Sequence, residues 1–316
     1  MRIVSLLASA TEIIAELGCL DQLVGRSHEC DYPTEVLQLP LVSTVQINIE
    51  TSSNEIDAQI KRLAHEKESV QNDAIKALSI YRIDVALLQE LQPDVIFTQT
   101  QCEVCAVSER DVTLALEQLT ELQPRIVSLA PYRLADVWED VVRVGKALGK
   151  REQAEALVQG YQARLDQLQQ SIKLNQNGKK PRVAVLEWLD PLMSAGNWTP
   201  ELIEYAGGES LFGEVGVHSP WLAWEELQVA DPDVLVLAPC GFSLERTYVD
   251  LPLLQQHPLW RSLQAVRNGR VYAIDGNYYL NRSGPRLVES AELLGRVIWG
   301  EQFMLPVDSA AWQQIS

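Results

Sequence analysis

Two short stretches concentrate the side chains that can coordinate a metal or exchange sulfur. SHECDYP (27–33) sets His28, Glu29, Cys30 and Asp31 side by side ahead of a proline, and QCEVCAV (101–107) holds Cys102 and Cys105 in C-x-x-C spacing. His28, Cys30, Cys102 and Cys105 have the types and number of a zinc site, because imidazole nitrogen and thiolate sulfur are ligands zinc takes. C-x-x-C lets two thiolates reach one ion, and H-x-C on an extended segment points both side chains to one face. Three other readings fit the same residues. One is a disulfide or redox-active thiols, either within C-x-x-C or between it and Cys30. Another is direct contact of His28 or a cysteine with a bound ligand. The last is buried thiols beside a satisfied histidine. The 5 cysteines (19, 30, 102, 105 and 240) are odd in number in a chain of 316 residues, which argues against a framework of structural disulfides. Cys19 ends a helix and is expected in the core, while Cys240 is expected in a site wall.

Elements must carry these residues to one place. RIVSLL (2–7) reads as a strand, SATE (9–12) has capping-box spacing with Ser9 as the cap, and Gly18 closes the helix that follows. DQLVGRS (21–27) is the next strand, and SHECDYP leaves its C-terminal end. Residues 50–79 read as a polar helical excursion. VALLQELQPDVIFTQ (85–99) is a helix, a Pro-Asp turn and a buried strand, with the second cysteine cluster following. PRIVSLAP (124–131) is another strand, and 134–148 an amphipathic helix closed by Gly149. From 150 to 173 apolar residues recur at 154, 157, 161, 165, 168 and 172, one face of a single long helix. After NQNGKKP (175–181) the pattern restarts: RVAVLEW (182–188), a helix at 199–208, WEELQVADPDVLVLAPCGF (224–242), GRVYAID (269–275) and a closing helix at 285–300. Strands alternating with helices imply parallel sheets, with ligands beyond the strand C-termini. The expected architecture is α/β: lobes at 1–133 and 179–316, a helical connector at 134–178, and strand ends facing each other across a cleft.

Composition narrows the function. A net charge of −17 disfavours a nucleic-acid partner. No apolar run approaches the ~18–20 residues that cross a bilayer. Glu12 and Glu16 interrupt the apolar N-terminus, so it reads as strand and helix rather than a signal peptide. The expected compartment is the cytoplasm, or the periplasm if a leader has been removed. No G-x-S-x-G, P-loop or H-E-x-x-H pattern occurs, so no catalytic residues are expected and the protein reads as a binder, not an enzyme.

The stretches RIVSLLASATEIIAELG, LVGRSHECDYP, LQPDVIFTQTQCEVCAVS, GKREQAEAL, WEELQVADPDVLVLAPCGF and GNYYLNRSGPRL together resemble the class III, helical-backbone substrate-binding proteins of ABC importers, most of all their cobalamin-binding branch. The resemblance implies two lobes on one long helix, a fold shared with chelatases. It implies a corrinoid or related metal chelate as ligand, an ABC permease as partner and a monomeric state. A corrinoid is flat and fringed with amides, so aromatic plates and polar donors should line its site. In the second lobe these are Trp188, Trp198 and Trp221, then Cys240, Tyr278, Tyr279, Arg282 and Arg286. In the first they are Ser9, Thr11, His28, Glu29, Cys30, Gln101 and Cys102. Trp138, Trp260 and Trp299 fall on helical patterns and are expected in packing. Such relatives dock on the permease through a glutamate on each lobe, seven residues before the proline of the Pro-Asp turn. That position is Glu225 in the second lobe but Ala86 in the first, with Asp84 nearby, which weakens the transport reading. The alternative is a cytosolic metal- or redox-responsive protein that uses the His/Cys cluster on the same scaffold.

Overall fold

The computed structural model describes residues 1–69, 80–101, 106–117, 123–175 and 178–315. The chain divides into two compact units. The first holds Met1–Thr51, Glu55–Pro131 and Asp136–Val158, and the second holds Ser52–Asn54, Tyr132–Ala135 and Gln159–Ser316.

The first unit runs β1 (Ile3–Ser5), α1 (Ala8–Glu16), β2 (Leu23–Arg26), β3 (Ser43–Val45), α2 (Ser53–Ser69), β4 (Tyr81–Ile83), α3 (Val85–Leu91), β5 (Val95–Gln99), α4 (Glu109–Leu116), β6 (Arg125–Leu129) and α5 (Leu134–Ala147). Its sheet has the order β2-β1-β5-β6, every pair parallel. Every residue of β1 and β5 is buried, as expected where helices cover both faces of a parallel sheet. Val4, Leu6, Leu88, Ile96, Val107 and Val112 form its core. Strands β3 and β4 pair antiparallel apart from this sheet. The capping-box expectation at Ser9 is corrected. Leu7 is the N-cap and makes no side-chain cap bond, so Ser9 lies second in the helix and is buried. Gly18 does close the helix, at φ 69°, with Gly18 N–H on Ala15 O and Cys19 N–H on Ile14 O.

Helix α6 (Arg151–Asn175) is 25 residues long, about 37 Å at 1.5 Å per residue. It starts in the first unit and ends in the second. Ala154, Tyr161, Leu165, Leu168 and Ile172 are its buried positions, the face set by the apolar spacing.

The second unit continues with β7 (Arg182–Leu189), β8 (Leu192–Ser194), α7 (Thr199–Tyr205), β9 (Glu209–Ser210), α8 (Trp224–Ala230), β10 (Val234–Leu237), α9 (Leu244–Gln255), α10 (Gln264–Arg267), β11 (Val271–Ile274), α11 (Leu287–Trp299) and β12 (Trp312–Ile315). The sheet order is β12-β11-β10-β7-β8, with β9 also on β7. β7, β10 and β11 are parallel, whereas β8 and β12 run antiparallel at the margins. The core includes Leu186, Leu189, Leu235, Leu237, Leu263 and Ala273.

The two Pro-Asp turns share a physical device. α3 and α8 each end on a left-handed residue, Gln92 at φ 44° and Asp231 at φ 40°. In the first unit Asp94 Oδ2 accepts from Arg2 N–H at 2.7 Å, while Asp94 N–H donates to Arg2 O at 2.8 Å. In the second, Asp233 Oδ2 accepts from Arg182 N–H at 2.8 Å, while Asp233 N–H donates to Arg182 O at 2.9 Å. Each aspartate thus pins the start of a neighbouring central strand, which sets the alignment of the strand ends.

Candidate ligand-binding site

Parallel β7, β10 and β11 deliver three turns to one edge of the second sheet. Cys240 N–H, after β10, donates to Glu187 O of β7 at 3.0 Å. After β11, Gly276 N–H and Asn277 N–H both donate to Phe242 O, at 2.9 and 3.0 Å. Asn281 Nδ2 donates to Ala238 O at 2.8 Å and Gly276 O at 3.1 Å, tying the β10 and β11 turns together.

Aromatic and cationic groups stand on this rim. Trp188 is half-buried, its ring centroid 5.2 Å from that of Phe242. The Trp188 indole N–H is buried and has no hydrogen-bond partner among the described residues. The Arg246 guanidinium lies 4.2 Å from the Phe242 centroid. Tyr278 carries two guanidinium groups, Arg286 at 4.6 Å and Arg282 at 5.4 Å, both buried. Arg282 also donates to Asn277 Oδ1 at 3.0 Å. Asp275 accepts from Asn277 N–H and Tyr278 N–H at 3.0 and 2.9 Å. Burial pushes its carboxyl pKa up, against the pull of those N–H groups and of Arg282 and Arg286. Tyr279 is buried, and its phenol is pushed up to about 12 by burial and by Glu289.

Trp198 is corrected to a core residue. It is 5% exposed, and its indole N–H donates to Leu280 O at 2.6 Å, which braces a residue held at φ 60°. Trp221 is exposed, on a segment bridged to Met193 of β8. Cys240 is half-buried. Trp138 and Trp260 are buried, and Trp299 is half-buried with its N–H on Ala206 O.

In the first unit the His/Cys stretch is a turn rather than an extended segment, closed by Cys30 N–H on Ser27 O at 3.2 Å. The H-x-C geometry expected for a metal is therefore corrected, since the two side chains part. Cys30 is fully buried, with its sulfur 3.0 Å from Thr11 Oγ1, 3.2 Å from Ser27 Oγ and 3.6 Å from Ser5 O. Burial raises its thiol pKa, which makes it a poor thiolate donor. Thr11 is buried in the same network, on Ser5 Oγ at 2.8 Å. Ser9, Thr11 and Cys30 are interior positions and are corrected as ligand-facing residues. His28 lies 3.2 Å from Ser43 Oγ, and its ring packs against Tyr81 at 5.2 Å between centroids, tilted by 33°. Burial and then Arg26 lower its pKa to about 4, so the ring is neutral and Glu29, 3.8 Å away, is no ion-pair partner at neutral pH. Glu29 and Gln101 are half-buried. Cys102 and Cys105 lie outside the described residues, and among the described residues no cluster of His, Cys, Asp and Glu is arranged to hold a metal.

Glu225 and Ala86 are both exposed and occupy the same place, second in α8 and second in α3. Asp84 is the N-cap of α3 and accepts from Leu87 N–H.

Sequence reasoning missed Glu187 and Ser219. Ser219 Oγ lies 2.9 and 3.0 Å from the two Glu187 carboxyl oxygens. Burial pushes that carboxyl up to about 7, against the pull of Ser219 and His218. A lone carboxylate inside the apolar strand RVAVLEW was the available signal.

The chain is 24% identical to an uncharacterized ABC transporter substrate-binding lipoprotein of Bacillus subtilis, over 96% of this chain and 81% of that protein. It is 24% identical to the vitamin B12-binding protein of Vibrio cholerae, over 92% of this chain and 86% of that protein. Among solved structures, a periplasmic heme-binding protein from Pseudomonas aeruginosa matches with a TM-score of 0.71 at 20% identity, over 100% of this chain and 98% of that one. The periplasmic vitamin B12-binding protein of Vibrio cholerae matches with a TM-score of 0.63 at 21% identity, over 94% and 96%. These structures share the α/β fold with its long helix. The relatives matched in sequence include a lipoprotein, B12-binding proteins and an achromobactin-binding periplasmic protein, and they give the cytoplasmic expectation no support. No helix among the described residues is long and apolar enough to cross a membrane. The Periplasmic binding protein family model matches residues 3–278, and the chain belongs to that family of ABC-importer substrate-binding proteins, which bind and deliver rather than catalyse.

Proposed function

We propose that this chain captures a corrinoid, or a closely related metal chelate, at the C-terminal edge of the sheet of its second unit and delivers it to an ABC permease. The observation that carries this reading is Trp188, whose flat ring stands beside Phe242 on that edge with a buried indole N–H that has no partner among the described residues. Burying such a donor without an acceptor is costly, so a ligand oxygen placed there recovers a hydrogen bond. A corrinoid offers both a flat face and peripheral amide carbonyls. The Vibrio cholerae B12-binding relatives support the corrinoid choice. A second reading is a chelate with anionic arms, such as heme, favoured by the two guanidinium groups gathered on Tyr278. Exposed Glu225 supports permease contact through α8, with Ala86 leaving α3 without the matching charge.

Parallel titrations with cyanocobalamin, dicyanocobinamide and hemin, followed by absorbance and calorimetry, test the reading. Saturable micromolar or tighter binding of a corrinoid is expected. Binding of hemin alone selects the second reading, and binding of none rejects both.

A further inference from the structure

Glu187 is a carboxylate on β7 whose side-chain hydrogen-bond partner is Ser219. Its side chain turns toward the segment 213–222, which lies along β8 and carries exposed Trp221. Backbone bonds stitch the two together: Ser194 N–H on Pro220 O, Leu222 N–H on Leu192 O, Asn197 N–H on Val217 O and Gly216 N–H on Asn197 O. Ser219 is the junction. Its Oγ accepts from Gly196 N–H at 3.0 Å and meets both Glu187 oxygens. The segment crosses Gly196 so closely that a Cβ there would lie 2.6 Å from Val217 O and 2.8 Å from Ser219 N. Ser219 thus sits in a tightly held segment that also carries Trp221, two residues on.

Resting on the reading of this edge as the ligand site, we propose that Glu187 is a positioning residue: its protonation state, relayed through Ser219, sets where Trp221 stands on the edge. As a carboxylate it only accepts, so the Ser219 hydroxyl proton is committed to it. As a carboxylic acid it donates to Ser219 Oγ, and the serine proton is released to another acceptor. The proton comes from solvent and resides on a Glu187 oxygen. His218, from the same segment, favours the carboxylate when protonated, and its Nδ1 lies 3.0 Å from Ser219 O. From the β10 turn, Cys240 approaches through its backbone.

The test begins without ligand. The tryptophan fluorescence difference between wild type and Trp221→Phe is followed from pH 5 to pH 9. One transition is expected near the point where Glu187 titrates, about 7. In Glu187→Gln, which keeps the shape and cannot titrate, the difference signal is expected to be flat. Ser219→Ala, which leaves the carboxyl but cuts the relay, is expected to uncouple Trp221 from pH. A flat wild-type signal overturns the proposal, and so does a transition that persists in Glu187→Gln. The second reading uses whichever of cyanocobalamin or hemin binds. If the placement of Trp221 matters to the ligand, affinity in wild type should differ between about pH 6 and about pH 8 and be level in Glu187→Gln, whereas a difference that persists in Glu187→Gln counts against the proposal. If neither probe binds, the ligand reading fails while the fluorescence titration still decides the role of Glu187.

Discussion

Trp188 divides its contribution between a flat surface and a single donor, and two substitutions separate them. Trp188→Phe keeps much of the surface and removes the N–H, whereas Trp188→Ala removes both. Loss of a central aromatic anchor costs about 2 kcal/mol or more, roughly thirty-fold in affinity, and loss of one hydrogen bond about 1 kcal/mol. Trp188→Ala is therefore expected to weaken chelate binding more than Trp188→Phe, as read by titration. His28 makes a separate prediction. Its pKa falls from 6.5 to about 4 on folding, so the folded state binds the proton less tightly than the unfolded one. The stability it contributes is present above pH 6.5 and is lost as pH falls through about 4. Glu187 acts with the opposite sign: raised from 4.5 to about 7, it contributes stability below pH 4.5 that is lost as pH rises through about 7. The two windows overlap and oppose, so the stability curve of the wild type mixes them. Proton NMR separates them for His28. Its imidazole signal, assigned with His28→Gln, should not titrate until pH approaches 4. A midpoint near 6.5 would contradict its burial against Tyr81 and Ser43.

At the scale of elements, the repeated helix, Pro-Asp and strand unit was legible because apolar runs and breakers dominate it. Its aspartates show why the echo matters: Asp94 and Asp233 each exchange two bonds with the arginine that opens a neighbouring strand. Asp233→Ala leaves Arg182 N–H without its acceptor and should cost about 1–3 kcal/mol in denaturant unfolding. The marginal strands β8, β9 and β12 were not legible, since two to four residues hold no readable period. Helix α9 was hidden by Pro252 inside it. Ser9 misled because spacing alone marks a capping box, whereas the chain enters α1 two residues earlier, at Leu7. The SHEC turn misled because an extended segment was assumed, and a turn sends Cys30 inward. Gly196→Ala provides a check on the 213–222 segment. Its Cβ would press on Val217 O and Ser219 N, and overpacking of this kind costs about 1–3 kcal/mol in a thermal or denaturant melt.

Over the whole molecule, charge and pattern served different ends. A net charge of −17 disfavoured a nucleic-acid partner without identifying a ligand. The α/β organisation was legible because the strand and helix periods restart after residue 181 and the long apolar face of α6 precedes them. The grouping of residues at one edge of the second sheet was partly legible. Trp188, Cys240, Tyr278, Arg282 and Arg286 follow from the strand-end rule, while Trp198 shows that an indole after a strand can equally brace a loop. Within an acidic chain, Arg282 and Arg286 both lie over Tyr278, with Asp275 close enough to feel their charge. The most direct test is a calorimetric titration of wild type and Trp188→Ala with cyanocobalamin and with hemin. The account predicts that wild type binds one of the two saturably and that Trp188→Ala binds it at least about tenfold more weakly. Equal affinity in the two proteins, or no binding by wild type, would contradict it.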